Sequence, residues 1–192
     1  MLIPYRGTQP QVAPGVFVAP SAVIIGDVHI GEDAGIWFGV IVRGDVNYIR
    51  IGRRTNLQDG TIVHVTSGTH PTLIGAGVTI AHGVRLHGCT IGDGSLIGIG
   101  AILLDGVDIG AESLVAAGSL VVPGTRVPPR SLVAGSPAKV KRPLVEAELD
   151  MLRSLATRYV NYRLDYLHLG ATGAGSDGAA PNPPPTDEVN AP

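Results

Sequence analysis

The 192-residue sequence has little of several residue types on which common folds depend. It has one cysteine, Cys89, so an internal disulfide is excluded and a reducing, cytoplasmic location is expected. Aromatic residues make up only 4% of the chain, which disfavours a core built around large rings. No apolar run approaches the roughly 18 residues of a membrane span, and the N-terminus shows no secretory signal. The net charge is −2 without a basic cluster, so we expect neither a membrane nor a nucleic acid as partner.

The sequence is rich in glycine, with 27 residues, and it places an aliphatic residue at every sixth position over long stretches. This period fits neither an amphipathic helix nor a lone hairpin, and it is typical of a solenoid in which each hexapeptide forms a short strand and a turn. We expect these aliphatic anchors to point inward and the coils to stack roughly 4.8 Å apart. The anchors are Val18, Ile24, Ile30, Ile36, Val42, Ile51, Leu57, Val63, Ile74, Ile80, Leu86, Ile91, Ile97, Leu103, Ile109, Val115, Val121, Val127 and Val133.

Two further positions of the hexapeptide follow a pattern. A small or β-branched residue stands four residues after many anchors, as at Ala22 and Thr61, where it would fit a tight corner. Glycine often follows the anchor directly, as at Gly52, where we expect it to relieve strain in the turn. The repeat resembles the hexapeptide-repeat, left-handed parallel β-helix proteins, whose triangular coil uses three hexapeptides. The resemblance covers about residues 12 to 140.

The period changes near the C-terminal end of the repeat. Apolar residues there follow helical spacing, and Pro143 suits the start of a helix and Gly170 its end. We therefore predict a mainly β fold, with one C-terminal α-helix that packs back on the β-helix. The tail beyond the helix has no apolar residues to bury. The predicted segments are a β-helix domain over residues 1–142, a helix over 143–169 and a disordered tail over 170–192.

Three steps between anchors break the six-residue period. They are nine residues from Val42 to Ile51, eleven from Val63 to Ile74 and five from Leu86 to Ile91. All three lie close to histidines, whereas the repeat after Ile91 is regular. Because functional sites are where local rules tend to be broken, this irregular region is the expected site.

His64, His82 and His87 lie in the irregular region. The distance along the chain from Val63 to Ile80 is close to one three-sided coil, so we expect His64 and His82 on corresponding faces of adjacent coils. His82 and His87 would then flank the next corner. Neutral imidazoles that converge in this way suit three-coordinate Zn²⁺ or Fe²⁺ with positions open for water. The remaining histidines are interpreted as surface or satisfied polar side chains: His29, His70 and His168.

Longer motifs in the same region resemble those of the γ-class carbonic anhydrases and their close relatives, in order and in spacing. These motifs are Arg43-Gly44-Asp45, Asn56-Leu57-Gln58-Asp59-Gly60, His64, and His82-Gly83-Val84-Arg85-Leu86-His87-Gly88-Cys89. The resemblance implies a homotrimer with metal sites at the subunit interfaces. His64 and His87 of one chain and His82 of a neighbour would bind the metal. The implied reaction is the reversible hydration of CO₂ to bicarbonate.

The resemblance also implies roles for residues around the metal. Gln58 would hydrogen-bond the metal-bound water or hydroxide, and Asn56 would help hold bicarbonate. Tyr159 matches the tyrosine that the C-terminal helix brings to the site.

Three charged residues complete the implied site. Arg43 and Asp45 would form charge pairs that organise the interface, with Asp59 close by. From the residues alone, other interpretations stay open. Arg43 and Asp45 could form an ordinary surface ion pair, and Gln58 and Asp59 could be turn residues.

Two departures from the family pattern bear on proton transfer. Prototype members carry a glutamate directly after the aspartate of the Arg-Gly-Asp motif, and an acidic loop between the first two histidines. Here Val46 takes the first position, and residues 65–73 contain no acid. A relay through His70 is a hypothesis, and weak hydratase activity is expected. The alternative functions are an acyl-CoA-using hexapeptide transferase or thioesterase, and a non-catalytic assembly subunit.

Overall fold

Short strands on successive coils pair in parallel and build the chain into a β-solenoid of about seven turns. The computed structural model describes residues 1–172. Within them one helix follows the solenoid, so the predicted hexapeptide β-helix with a C-terminal helix is confirmed. From residue 173 onward, the tail that we predicted to be disordered lies outside the described residues.

Most strands are short because each covers one side of a coil, whereas the strands Val23–Ile30 and Ile41–Ile51 are longer. In the first half they are β1 (Leu2–Ile3), β2 (Gln11–Val12), β3 (Phe17–Val18), β4 (Val23–Ile30), β5 (Gly35–Ile36), β6 (Ile41–Ile51), β7 (Asn56–Leu57), β8 (Ile62–His64), β9 (Thr72–Ile74) and β10 (Thr79–Ile80). In the second half they are β11 (Arg85–His87), β12 (Thr90–Ile91), β13 (Leu96–Ile97), β14 (Ile102–Leu103), β15 (Asp108–Ile109), β16 (Leu114–Val115), β17 (Leu120–Val121), β18 (Arg126–Val127), β19 (Ser131–Gly135) and β20 (Ala138–Pro143).

The strands of residues 1–172 form two hydrogen-bonded sheets. One runs from β3 to β20 in the order β3-β5-β7-β10-β13-β16-β19-β20 and makes one face of the solenoid. The other covers the two remaining faces, because β6 is long enough to turn a corner. The start of β6 pairs with β8 at Ile41, and its end pairs with β9 at Ile49.

The strand register shows how the length of the coil varies along the solenoid. In the regular part, every coil spans three hexapeptides, as from Thr90 to its partner Asp108 and from Leu96 to Leu114. Around the histidines, the coils from Ile41 to Ile62 and from Ile62 to Arg85 are longer than this. The next coil, from Arg85 to Ile102, is one residue shorter than the regular ones. The three breaks in the hexapeptide period therefore become two lengthened corners and one shortened corner.

The predicted anchors form the core. All of them are buried except Val18, which is half-buried because β3 is the last strand of its sheet and no further coil covers it. Many anchors, such as Ile36, Leu57 and Ile97, are completely inaccessible to solvent. Burying each side chain of this size contributes about 1.5–3 kcal/mol, so the stack of anchors dominates the stability.

The glycines that follow the anchors have a different role from the one expected. A Cβ atom on Gly52 would lie 2.5 Å from backbone atoms of Gly75 and Ala76 in the next coil. These glycines therefore permit the close approach of two coils, and they do not relieve a strained turn. Left-handed backbone occurs instead at turn positions such as Gly60, with a φ of 69°.

The chain leaves the solenoid through an antiparallel strand and a capped helix. Pro143 ends β20, which pairs with β19, and helix α1 covers Glu146–Thr172. The Glu148 carboxylate accepts a hydrogen bond from the N–H of Val145 at 2.9 Å, which caps the first turn. Two hydrogen bonds from Arg142, each of 2.8 Å, hold the same carboxylate and lower the pKa of Glu148 to about 2. The predicted helix start at Pro143 is therefore wrong, because that residue still belongs to the sheet.

The helix also runs past its predicted end. It continues through Gly170 to Thr172, because a single glycine costs a helix about 1 kcal/mol and does not by itself stop it. No part of this helix is long and apolar enough to cross a membrane.

Apolar contacts and one buried cation hold α1 against the solenoid. Arg163 is 4% exposed, pairs with Asp33 at 2.9 Å and donates a hydrogen bond to the carbonyl oxygen of Gly15. The first turns of the helix segment pack on outward-facing leucines of the β3–β20 sheet. This contact joins Leu144, Leu149 and Leu152 to Leu96, Leu114 and Leu132.

Candidate metal centre

Strands β8 and β11 lie side by side and each ends in a histidine. Their parallel register places His64 directly opposite His87. Side chains at one register position point to the same face of a sheet, so the two rings meet outside the solenoid. His64 Nδ1 and His87 Nε2 are 3.1 Å apart.

A carboxylate holds each ring of this pair from the far side. Asp45 Oδ1, from β6, lies 3.0 Å from His64 Nε2. Asp105 Oδ1, shortly after the end of β14, lies 2.6 Å from His87 Nδ1. An ionised carboxylate can only accept hydrogen bonds, so both rings must donate there. His64 Nδ1 and His87 Nε2 are then left with lone pairs when the rings are neutral.

Two lone pairs that face each other at 3.1 Å repel unless a cation lies between them. Nitrogens that bind one Zn²⁺ at about 2.0–2.1 Å in tetrahedral geometry lie about 3.3 Å apart. The separation of His64 Nδ1 and His87 Nε2 is close to that distance, and one shared proton would also relieve the repulsion. Metal-binding histidines usually donate their second N–H to a carboxylate or carbonyl, as both rings do here. The residues therefore fit a divalent metal.

The charges of the two carboxylates are secured by their neighbours. Burial raises the pKa of Asp45, but hydrogen bonds from His64 and Arg43 outweigh it, and the pKa is lowered. Burial likewise raises the pKa of Asp105, and hydrogen bonds from His87 and from the Thr66 hydroxyl, at 2.7 Å, lower it below its usual value. Both carboxylates are therefore anionic at neutral pH.

Arg43 and Asp45 form an ion pair within the chain. Asp45 bridges two partners, since its other oxygen holds His64. The interpretation of this pair as a free-standing surface ion pair does not fit, because Asp45 is engaged with a ring of the candidate centre. The organising role of Arg43 and Asp45 at a subunit interface stays a prediction.

His82 does not lie beside His64, contrary to the expectation from the spacing of Val63 and Ile80. The loop of residues 65–73 lengthens the coil, so Val63 pairs with Leu86 and not with Ile80. Ile80 lies instead on the previous face of the solenoid, where β10 precedes His82.

His82 belongs to a second cluster, at the corner between β10 and β11. Its Nδ1 lies 2.9 Å from Asp59 Oδ2, and both side chains are 46% exposed. His82 stands before β11 and His87 ends it, so the strand separates them. Within residues 1–172, one chain does not gather three metal-binding side chains at one point.

Asn56 and Gln58, on and directly after β7 and just before Asp59 in the chain, are buried at 2% and 3% exposure. Gln58 Nε2 donates to Asn56 Oδ1 at 3.1 Å, and Asn56 Nδ2 donates to Thr79 Oγ1 at 3.0 Å. Two amides this deeply buried are not solvent-facing turn residues. Asp59, which follows Gln58, does lie in the turn.

Helix α1 brings Tyr159 to the same side of the molecule. Its ring packs edge-on against Trp37, with 5.5 Å between the ring centroids. Burial raises the pKa of Tyr159, and the nearby charge of Asp59 raises it further. A pocket of about 330 Å³ opens here. It is lined by Trp37, Phe38, Asp59, Tyr159, Tyr162 and Tyr166.

Sequence reasoning missed Asp105. This residue stands in the regular stretch Leu103-Leu104-Asp105-Gly106, which looks like an ordinary strand and turn. The glycine directly after His87 is the local feature that accompanies this contact, but its role is visible only in the structure. Gly88 has a φ of 57°, and a Cβ atom there would lie 2.4 Å from Asp105 Oδ1.

The repeat and the paired histidines together define a hexapeptide-repeat protein with a candidate metal centre on its surface. Residues 88–123 match the family model described as bacterial transferase hexapeptide (six repeats). The chain is 48% identical over 176 residues to Protein YrdA of Escherichia coli (strain K12), in a match that covers 88% of this chain and 96% of the relative.

Among the similar hexapeptide-repeat proteins are relatives named as carbonic anhydrases. The chain is 46% identical over 160 residues to a carbonic anhydrase of Geobacillus kaustophilus, covering 83% of this chain and 87% of the relative. It is 47% identical over 157 residues to gamma carbonic anhydrase 1, mitochondrial, of Arabidopsis thaliana, covering 79% of this chain and 57% of the relative. The chain belongs to the γ-class carbonic anhydrase-like family of hexapeptide-repeat proteins.

Proposed function

We propose that this chain is a metal-dependent γ-carbonic anhydrase-like enzyme that hydrates CO₂ reversibly to bicarbonate. The observation that carries the proposal is the pair of ring nitrogens of His64 and His87, 3.1 Å apart with a carboxylate behind each ring. Relatives whose names include carbonic anhydrase support the reaction.

Zn²⁺ or Fe²⁺ is the proposed cofactor, held by His64, His87 and the His82 of a neighbouring subunit. When bound, such a metal supplies the Lewis acidity that makes hydroxide available as a nucleophile near pH 7. Asp59 lies 2.9 Å from Nδ1 of His82, which would leave Nε2 of His82 as the nitrogen available to the metal. Each chain would thus supply His64 and His87 to one metal site and His82 to a second site, shared with a different neighbour.

An outward apolar strip supports the proposed homotrimer. Ile41 and Ile62 are each 38% exposed on successive coils of the face that ends at His64 and His87. The same register position continues through Arg85 to Ile102 and Leu120. A neighbouring subunit that covered this strip would meet the paired histidines along one edge and His82 near the other. Each subunit would then complete a centre with each neighbour.

The buried amides would orient the reactants. Asn56 Nδ2 donates to the carbonyl oxygen of Val78, which can only accept, so Asn56 Oδ1 is the acceptor for Gln58 Nε2 and both amide orientations are fixed. The Gln58 oxygen is then the acceptor end that would hold the proton of water or bicarbonate. Tyr159, at the pocket beside Asp59, would border the same space from the helix.

Stopped-flow CO₂ hydration by protein reconstituted with Zn²⁺ or Fe²⁺ tests the proposal. We expect metal-dependent activity that His82→Ala abolishes. His29→Ala is the matched control, because His29 lies near the carboxylate of Asp27, at 3.7 Å, outside the site. With Val46 and no acid in residues 65–73, the turnover number should rise when imidazole buffer is added. A fully metallated protein that hydrates CO₂ no faster than free metal would contradict the proposal.

Mixing two inactive variants tests the sharing of the site between subunits. His82→Ala and His64→Ala would each lack activity alone. In a mixed trimer, a site is intact where the His82→Ala chain supplies His64 and His87 and the neighbouring His64→Ala chain supplies His82. With equal amounts and random exchange, about one quarter of the sites are intact, so about one quarter of the wild-type activity should return. No recovery after verified subunit exchange would contradict a site shared between subunits.

A second candidate is hydrolysis or transfer of an acyl thioester. The aromatic pocket of about 330 Å³ beside Asp59 and Tyr159 favours it, because CO₂ and bicarbonate do not need such a space. Coenzyme A should then raise the melting temperature, and acyl-CoA hydrolysis should depend on Trp37.

The cytoplasmic location stays a prediction.

A further inference from the structure

We infer that Asp105 is a positioning residue of the metal centre, which fixes the tautomer and the orientation of His87. The inference rests on the proposed metal site. It concerns a carboxylate that no sequence motif indicated, in a regular part of the repeat. The carboxylate sets which nitrogen of His87 faces His64.

Both oxygens of Asp105 are engaged, so its carboxylate has one orientation. Oδ1 accepts the N–H of His87 Nδ1 at 2.6 Å, and Oδ2 accepts the hydroxyl of Thr66 at 2.7 Å. The backbone is held as well, since the N–H of Gly124 donates to the carbonyl oxygen of Asp105 at 2.9 Å. A carboxylate fixed at both ends leaves Nε2 of His87 as the metal-facing lone pair.

The chain next to His87 leaves room for this carboxylate. A Cβ atom on Gly88 would lie 2.4 Å from Asp105 Oδ1, so a side chain there would displace the acceptor. The N–H of Gly106 donates to the carbonyl oxygen of Gly88 at 2.8 Å and ties the two turns together. The shortened corner after Leu86 therefore serves the contact between His87 and Asp105.

Asp105 and Asp45 differ in the group that faces the second oxygen of the carboxylate. The second oxygen of Asp45 faces the guanidinium of Arg43, whereas the second oxygen of Asp105 faces the neutral hydroxyl of Thr66. The charge of Asp105 is therefore directed mainly at His87. A carboxylate that accepts from a metal-binding imidazole makes the ring a stronger ligand.

The decisive variant is Asp105→Asn, which keeps the shape and removes the charge. We expect the affinity for Zn²⁺, measured by chelator competition on the assembled protein, to fall by about 10–100-fold. Asp108→Asn is the control, because Asp108 is an exposed carboxylate on the following strand. Thr66→Val should lower the affinity by a smaller factor, because it frees one oxygen of Asp105 and leaves the charge.

A second readout needs no metal. In apo protein labelled with ¹⁵N-histidine, His87 should show the Nδ1–H tautomer, and Asp105→Asn should convert it to a mixture. Loss of the fixed tautomer with weaker metal binding supports the inference. If the wild type binds no metal but the tautomer still changes, the proposed function fails and the positioning role stands. Wild-type affinity together with an unchanged tautomer in Asp105→Asn would overturn the inference. If Asp105→Asn does not fold, Thr66→Val tests the same role by both readouts with a smaller expected change, because it releases one oxygen of the fixed carboxylate.

Discussion

The coils around the histidines and the coils after Ile91 are built from one hexapeptide but differ in regularity. In the later coils, each strand pairs with the strand exactly three hexapeptides further along the chain. Around the histidines, two coils are longer than three hexapeptides and one is shorter. The regular coils all have the same length and the same packing. Each irregular corner changes the length of its coil and so places a polar side chain at a position that the regular repeat does not reach.

The residues that stabilise the fold and the residues that form the candidate site are different residues of the same coils. The anchors are buried equally well in both regions, so the lengthened corners of the irregular coils take little from the core. The extra residues stay outside, where they place Asp45 beside His64 and Thr66 beside Asp105. We therefore expect changes to anchors and changes to the corners to have different consequences.

The largest expected effect comes from removing an anchor in the regular coils. Ile109 is 1% exposed between Ile91 and Val127, so Ile109→Ala should lower the free energy of unfolding by about 3 kcal/mol. Denaturant titration of the assembled protein measures this, and metal stoichiometry should not change. His87→Ala should do the opposite, with metal lost and stability little altered. If both variants lost metal in equal measure, the separation would be wrong.

An intermediate effect is expected at the shortened corner. Gly88→Ala should cost about 1–3 kcal/mol, because its φ is 57° and the new Cβ would meet Asp105. Metal affinity should fall with stability. Gly100→Ala is the matched control, since Gly100 has a φ of 67° but open space around it. That variant should be destabilised by backbone strain alone, and its metal affinity should equal that of the wild type.

The smallest effect concerns the helix cap, far from both clusters. The pKa of Glu148 is lowered from 4.5 to about 2 in the folded chain, so the carboxylate stabilises the fold above about pH 4.5. This stabilisation is lost as the pH falls from about 4.5 to about 2. Glu148→Gln should therefore be slightly less stable than the wild type at pH 7, and the difference should shrink as the pH falls through about 2. Thermal melts at several pH values, in low salt, measure the difference, and a constant difference at all pH values would contradict this reasoning.

The solenoid could be predicted because the position of a residue within its own hexapeptide is enough to predict whether it is buried. Ile24, Leu57 and Val115 each stand at an anchor position, and each is buried without knowledge of any distant residue. The helix was also predictable from its spacing. Its ends were not, because Pro143 serves the sheet and Gly170 does not stop the helix.

The candidate site could be predicted only in part. The spacing of the anchors put His64 beside His82, which is wrong, because the summed lengths of the corners decide which histidines meet. The family resemblance put His64 and His87 on one chain, and the strand register does pair them. Asp105 is distant from His87 along the chain and reaches it only because the coils stack. Such contacts depend on register, which the local pattern does not encode. The roles of Asn56, Gln58 and Tyr159 came from the family resemblance and stay predictions.

The reversed strand β20 has a consequence for how these molecules behave at high concentration. A parallel solenoid ends in an open strand edge, which another chain could extend coil by coil into a fibre. Here the last strand of the β3–β20 sheet runs antiparallel to β19 and carries Lys139, Lys141 and Arg142 on exposed positions. A second molecule would have to bring its own coil against the positive charges of Lys139 and Lys141, since Arg142 is paired with Glu148, and against a strand of the wrong direction. On this face the antiparallel, positively charged edge strand therefore disfavours end-to-end polymerisation.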